Sequence, residues 1–225
     1  MRGVIVAHSR VSNGSMLNRT DGRDKTVFQN RRMWLSSVGI DPSKTYRICL
    51  SYEGNEDFCR YREVASTDTP VTEFDATNDE TDALVTTKPG EALFLPLADC
   101  IGAVLYDEAH GVLMMSHLGR HSLEQNGGAR SVEYLVENYG SNPAELKVWL
   151  SAAVSKESYK IYALDYKGLK EAAYEQLDAA GVQFANIFDI TDETDTHDDY
   201  YSHSQFLKGK TTENGRHAFV AMMTE

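Results

Sequence analysis

The chain has 225 residues, and its 22 basic against 34 acidic side chains leave a net charge of −12 at pH 7. That balance repels a phosphate backbone, and no basic stripe with interleaved aromatics offsets it, so nucleic-acid binding is disfavoured. At 41% hydrophobic residues the chain can bury a core, which argues against disorder, while no apolar run reaches the roughly 18 residues of a membrane span.

The opening Met-Arg-Gly-Val-Ile-Val-Ala-His is too short for the core of a signal peptide, so the expected compartment is the cytoplasm. From the first residues onward the elements follow hydrophobic period. Val27, Arg31, Trp34, Leu35 and Val38 share one face of a helix over Val27 to Val38, with Thr26 as cap and Gly39 as stop. Tyr46 to Tyr52 alternates as a half-buried strand whose polar face carries Cys49 and Ser51 and continues to Glu53. Ser66 to Thr87 reads as an acidic, exposed connection holding one short strand. Three dense apolar strands follow at Leu93 to Ala98, Ile101 to Tyr106 and Val112 to Ser116. Beyond them come a helix from Ala129 to Tyr139, preceded by Gly127 and Gly128, and a strand from Leu146 to Ala152. A helix from Tyr166 to Ala180, with Tyr166 on its buried face, and strands at Phe184 to Ile190 and Ala218 to Met223 complete the series. Strand clusters with intervening helices predict an α+β fold, one domain over residues 1–225, with mixed β-sheets.

The chemistry gathers at Ala98-Asp99-Cys100 and Ser116-His117-Leu118-Gly119. An antiparallel hairpin of the two strands between them sets Cys100, at the start of one, beside His117, at the end of the other. A thiol and an imidazole at one sheet edge can bind zinc or act as nucleophile and base. The plainer reading is a core thiol near a surface histidine. Cys49 and Cys59 read as packing thiols; three cysteines without a CxxC spacing indicate neither a disulfide framework nor a zinc finger. The acidic run from Asp189 to Asp199 lacks the pattern of a calcium loop and reads as solvated.

Thr81-Asp82-Ala83-Leu84-Val85-Thr86, Leu97-Ala98-Asp99-Cys100 and His117-Leu118-Gly119 resemble the core motifs of the laccase-domain family, also called YfiH-like or multicopper polyphenol oxidase-like and associated with purine nucleoside phosphorylase activity. His8-Ser9-Arg10, Asn30-Arg31, Glu157-Ser158-Tyr159 and Gly215-Arg216 resemble weaker family segments in the same order. The resemblance implies a layered sandwich of sheets flanked by helices and a zinc ion held by two histidines and a cysteine. Cys100 and His117 match two of those ligands, whereas Ser51-Tyr52-Glu53-Gly54 places Glu53 where the first histidine is expected. A Cys/His/Glu set is chemically acceptable for zinc. Asp99 is then expected to orient or tune the site, and Arg120, Arg10 and Arg216 to serve the anion, with Arg120 and His121 replacing the family's Trp-Arg after the histidine. His121 reads either as a further ligand or proton donor or as a flexible solvated side chain. Gly127 and Gly128 offer backbone N–H groups to a phosphate or simply make a turn.

By resemblance the expected function is zinc-dependent phosphorolysis of adenosine or inosine, with adenosine deamination as a further activity, on small-molecule substrates and with no membrane or nucleic-acid partner. Three alternatives stay open: a metal-free Cys100–His117 hydrolase, a divergent non-catalytic relative, and a laccase-like polyphenol oxidase. Copper finds less support than zinc, because a multicopper oxidase needs many more histidines than the seven scattered here.

Overall fold

The computed structural model describes residues 3–17, 25–72 and 78–225. Its strands and main helices, in chain order, are β1 (Val4–His8), α1 (Lys25–Ser37), β2 (Thr45–Arg47), β3 (Tyr61–Glu63), β4 (Ala83–Thr86), β5 (Ala92–Leu97), β6 (Ile101–Asp107), β7 (Val112–Leu118), α2 (Arg120–Glu124), α3 (Gly127–Tyr139), β8 (Lys147–Leu150), α4 (Leu169–Ala179), β9 (Ile187–Asp189), α5 (His203–Leu207) and β10 (His217–Met223). The strands form two mixed sheets, one in the order β1-β10-β5-β2 and the other β3-β4-β7-β6-β8-β9. Pairing is antiparallel except for β2 with β5, β3 with β4, and β8 with β9.

The central strands are apolar on every position because both of their faces are covered. On β6, Val104 and Tyr106 pack against Leu93, Leu95 and Phe219 of the other sheet. Ile101, Ala103 and Leu105 point the opposite way, into Val132 and Leu135 of α3 and Leu169 and Leu177 of α4. Across the smaller sheet, Trp34 and Leu35 of α1 cover Phe94, Ala218 and Val220. The result is four layers: α1, the four-stranded sheet, the six-stranded sheet, then α3 with α4. Each large apolar side chain buried this way contributes roughly 1.5–3 kcal/mol.

Several expectations are corrected. The strand expected at Tyr46 to Tyr52 ends at Arg47. After Ile48 donates its N–H to the Phe94 carbonyl, the chain leaves β5, and the Cys49 carbonyl accepts from Thr81 N. The polar face that was to carry Cys49, Ser51 and Glu53 together therefore does not exist. The helix expected from Tyr166 starts at Leu169, because Asp165 and Tyr166 adopt left-handed φ values of 52° and 62°, and Tyr166 is exposed rather than buried. Gly127 and Gly128 lie inside the first turn of α3, buried, with Gly128 N bonded to Gln176 Oε1 at 2.9 Å; their packing explains them without a phosphate. The strand within the expected acidic connection is β4, fully buried, while residues 73–77 of that connection lie outside the described residues.

Candidate functional site

The β6–β7 hairpin decides the geometry. Its register pairs Gly102 with His117 and Ile101 with Leu118, so Cys100, immediately before β6, meets the end of β7. His117 N donates to the Asp82 carbonyl at 2.9 Å, and beyond it the chain turns sharply into α2. The Ser122 hydroxyl closes that turn, accepting from Gly119 N at 3.1 Å and lying 3.0 Å from the His117 carbonyl. Gly119 measures the convergence of the two side chains. A Cβ placed on it would stand 3.1 Å from the Cys100 sulfur and 3.1 Å from His117 Nε2, so the two atoms face one point and lie no more than twice that distance apart. His117 is buried, and burial holds its pKa down to about 4, leaving a neutral imidazole at pH 7.

Gly119 has a φ of −95°, so alanine fits its backbone and any effect of Gly119→Ala reports on the site. A methyl there would stand 2.7 Å from His117 Cε1. With Cys49 and Cys59 buried, iodoacetamide labelling reads Cys100. We expect Gly119→Ala to slow that labelling roughly tenfold, a crowding cost of about 1.4 kcal/mol, with a lowered melting temperature because the buried His117 ring must shift.

Asp99 stands immediately before Cys100. It is a non-glycine residue at a left-handed φ of 84°, and its carboxylate is committed to the surroundings: Oδ1 accepts from Thr194 Oγ1 at 2.7 Å and Oδ2 from Ser204 N at 2.6 Å. One carboxylate thus ties the acidic loop and the start of α5 to the residue before Cys100. Asp99→Ala is expected to cost about 3 kcal/mol in urea unfolding, from lost charge-assisted hydrogen bonds and left-handed strain. Asp99→Asn, which tolerates the conformation and keeps an acceptor, should cost less than half of that.

The acidic loop is partly tied down, while Glu193, His197 and Asp198 stay exposed as expected of a solvated run. Asp195 accepts from both Ser155 N and Ser155 Oγ, Asp192 accepts from the Tyr200 hydroxyl at 2.9 Å, and Asp189 pairs with Lys170.

Cys100 and His117 open onto a cavity of about 500 Å³. Arg120 lines it, donating from Nε to the Tyr159 hydroxyl at 3.1 Å and pairing with Glu124 at 3.2 Å. Arg216 also lines it, buried, with Nη1 2.9 Å from Asn214 Oδ1. Arg10 is elsewhere: it pairs with Asp199 and lies 5.6 Å over the Tyr200 ring. Glu53 sits on an exposed turn outside the cavity lining. A catalytic zinc asks for three protein ligands; Cys100 and His117 are two, and among the described residues no three His, Cys, Asp or Glu side chains gather to hold a metal. The donor set is one short for zinc, and equally short for a copper centre.

Three lining residues carried no sequence signal. Lys208, just past α5, donates to Ser158 Oγ at 3.3 Å, and Tyr52 and Phe58 come from the connection before β3. The cavity lining carries more cations than carboxylates, Arg120 being itself paired with Glu124. Among its described lining residues are the cations Arg120, Lys208 and Arg216 and a single carboxylate, Asp99, already bonded to Thr194 and Ser204. A concave cationic site in an acidic molecule concentrates anions.

The family model described as multi-copper polyphenol oxidoreductase laccase matches residues 8–167. The chain belongs to this family. Among curated relatives of the laccase-family chain, a purine nucleoside phosphorylase of Corynebacterium glutamicum is 28% identical over 137 residues, covering 61% of this chain and 52% of the relative. One of Streptomyces coelicolor is 29% identical over 135 residues, covering 60% and 51%. The chain thus spans about half the length of these relatives. In fold it is similar to a Bacillus licheniformis protein named YfiH, with a TM-score of 0.82 at 20% identity over 97% of this chain and 92% of that one. It is also similar to YlmD of Geobacillus stearothermophilus, with a TM-score of 0.78 at 19% identity over 100% and 92%. The α+β architecture of mixed β-sheets flanked by helices, expected from the sequence, is the architecture found. No helix among the described residues is long and apolar enough to cross a membrane.

Proposed function

We propose that this laccase-family protein is an enzyme of the purine nucleoside phosphorylase type, taking a nucleoside and inorganic phosphate into the cavity above Cys100 and His117. The observation that carries the reading is the cationic lining in a chain of net charge −12, and the names of the curated relatives support it. In the reaction a phosphate oxygen attacks the ribose C1′, the bond from C1′ to the base breaks, and the base leaves with the electron pair. Arg120 and Lys208 hold and partly neutralise the phosphate. Cys100 and the neutral His117 contact the sugar–base junction, where the bond is cleaved. Arg216, buried and bonded to its own chain, shapes the cavity and adds to its positive field.

The test is release of hypoxanthine from inosine, or adenine from adenosine, with phosphate present and absent. Phosphate-dependent release supports the reading; no turnover of adenosine, inosine or methylthioadenosine, with zinc supplied, rejects it. The two-donor count at Cys100 and His117 favours one second reading, a metal-free hydrolase in which Cys100 is the nucleophile and His117 its base. Base release that proceeds equally without phosphate selects it.

A further inference from the structure

Tyr52, Phe58 and His121 reach the cavity from two distant parts of the chain, and the chemistry proposed at Cys100 and His117 assigns none of the three a role. The rings of Phe58 and His121 stack with centroids 4.6 Å apart at 27°. Tyr52 leans on both, 6.1 Å from Phe58 and 5.7 Å from His121. The connection that carries Phe58 is pinned to the end of α2 by one side chain: Gln125 Oε1 accepts from Phe58 N at 2.9 Å, and Gln125 Nε2 donates to the Glu56 carbonyl at 2.6 Å. The backbone that carries the Phe58 ring is thus anchored to the helix that carries His121.

Arg120 sets the state of His121. Its Nη2 lies 2.6 Å from His121 Nε2, and a guanidinium has no lone pair to offer, so Nε2 must be the acceptor. The ring proton therefore sits on Nδ1 and the imidazole is neutral. Burial and the Arg120 charge both lower its pKa, in agreement. His121 is neither a solvated side chain nor a ligand grouped with Cys100 and His117; it is a flat, uncharged ring. Because Arg120 lines the same cavity, the ring cluster and the anion-holding guanidinium are neighbours.

We propose that Tyr52, Phe58 and His121 form the wall on which the heterocyclic base of the substrate stacks, with the phosphate on the Arg120 and Lys208 side and the sugar between them over Cys100 and His117. This rests on the nucleoside reading. Every nucleobase presents a π face, and loss of one aromatic partner weakens binding by roughly tenfold or more. The wall supplies faces rather than edges, so it selects flat heterocycles as a class.

The test compares Phe58→Leu, which keeps apolar packing but removes the ring, with Phe58→Trp, which keeps a π face. Inosine affinity is measured by equilibrium dialysis, alongside KM for inosine and for phosphate and the melting temperature. Expected are a roughly tenfold weaker inosine affinity and a matching rise in inosine KM for Phe58→Leu, a phosphate KM and melting temperature close to wild type, and recovery in Phe58→Trp. Wild-type-like inosine affinity in Phe58→Leu overturns the wall while leaving the phosphorylase reading intact. If the wild type does not bind inosine and turns over none of inosine, adenosine and methylthioadenosine with zinc supplied, the phosphorylase reading fails and adenine becomes the probe. Adenine binding that is lost in Phe58→Leu and regained in Phe58→Trp upholds the wall alone, and absence of adenine binding overturns it as well.

Discussion

Cys100→Ser and His117→Asn are each expected to lower phosphate-dependent base release by roughly 10²- to 10⁴-fold, the range over which a positioned proton-transfer group or nucleophile acts. The serine hydroxyl occupies nearly the volume of the thiol but is far less acidic and less polarizable. Cys100 is only partly buried, so Cys100→Ser should leave the melting temperature within a few degrees, which separates loss of chemistry from loss of fold. The sulfur and Nε2 lie close to a common point, so under the proposed reading the two residues are expected to act as a unit, and the double variant should be scarcely worse than either single one. Steady-state rates across inosine and phosphate concentrations check all three proteins. A Cys100→Ser protein with a rate within threefold of wild type would remove the pair from the chemistry. Metal analysis of the same preparations adds an independent reading: with two donors assembled, stoichiometric zinc that disappears in Cys100→Ser would require a third ligand from outside the described residues or from a rearranged side chain.

The second large effect concerns acid. His8 and His217 lie with ring centroids 4.6 Å apart, and all four of their ring nitrogens are buried with no hydrogen-bond partner among the described residues. Burial, then the charges of Arg10 and Lys170, hold the His8 pKa down to about 3 against an opposing pull from Asp192. For His217 the causes are burial, then His8 and Arg216, and its pKa lies well below the ordinary value. Both are therefore neutral in the folded chain and free to take a proton, with a pKa near 6.5, only once unfolded. The unfolded state binds more protons at every pH between the two values, so stability is complete above about pH 6.5 and declines as the pH falls toward the folded pKa. From pH 7.5 to pH 5 the loss is on the order of 4 kcal/mol for the two residues together. Urea unfolding across that range should show it, and His217→Leu should roughly halve the slope. That variant should also be more stable than wild type at pH 7, because leucine leaves no orphaned nitrogen in the core. A urea midpoint independent of pH over this interval would show that the rings find partners in solution.

The pairing of Cys100 with His117 was readable because a hairpin leaves little freedom. Two dense apolar runs separated by a short turn around Gly111 must pair antiparallel, and the ends of such strands meet whatever else the fold does. Glu53 was a ligand candidate because it aligns with the family's first histidine, but alignment and alternation carry no information about where a strand loses its partner, and β2 stops when Ile48 has made its bond to Phe94. Arg10 resembled a family anion ligand by position, yet its guanidinium is committed to Asp199 and Tyr200, contacts across nearly the whole length of the chain. Lys208 was invisible because α5, at five residues, is too short to show a period. The four-layer order was likewise beyond periodicity, which marks Val104 and Leu105 as apolar but not which layer each one meets.

The attachment of α5 and the acidic loop to Asp99 has a mechanical consequence. Parts of the chain about a hundred residues downstream hang from the carboxylate of the residue before Cys100, through Thr194 and Ser204. Whatever tilts that roof therefore tugs on the peptide that aims the sulfur. Substitutions in the roof, even at positions far from any substrate, are transmitted to the thiol through one side chain instead of fading across the sheet.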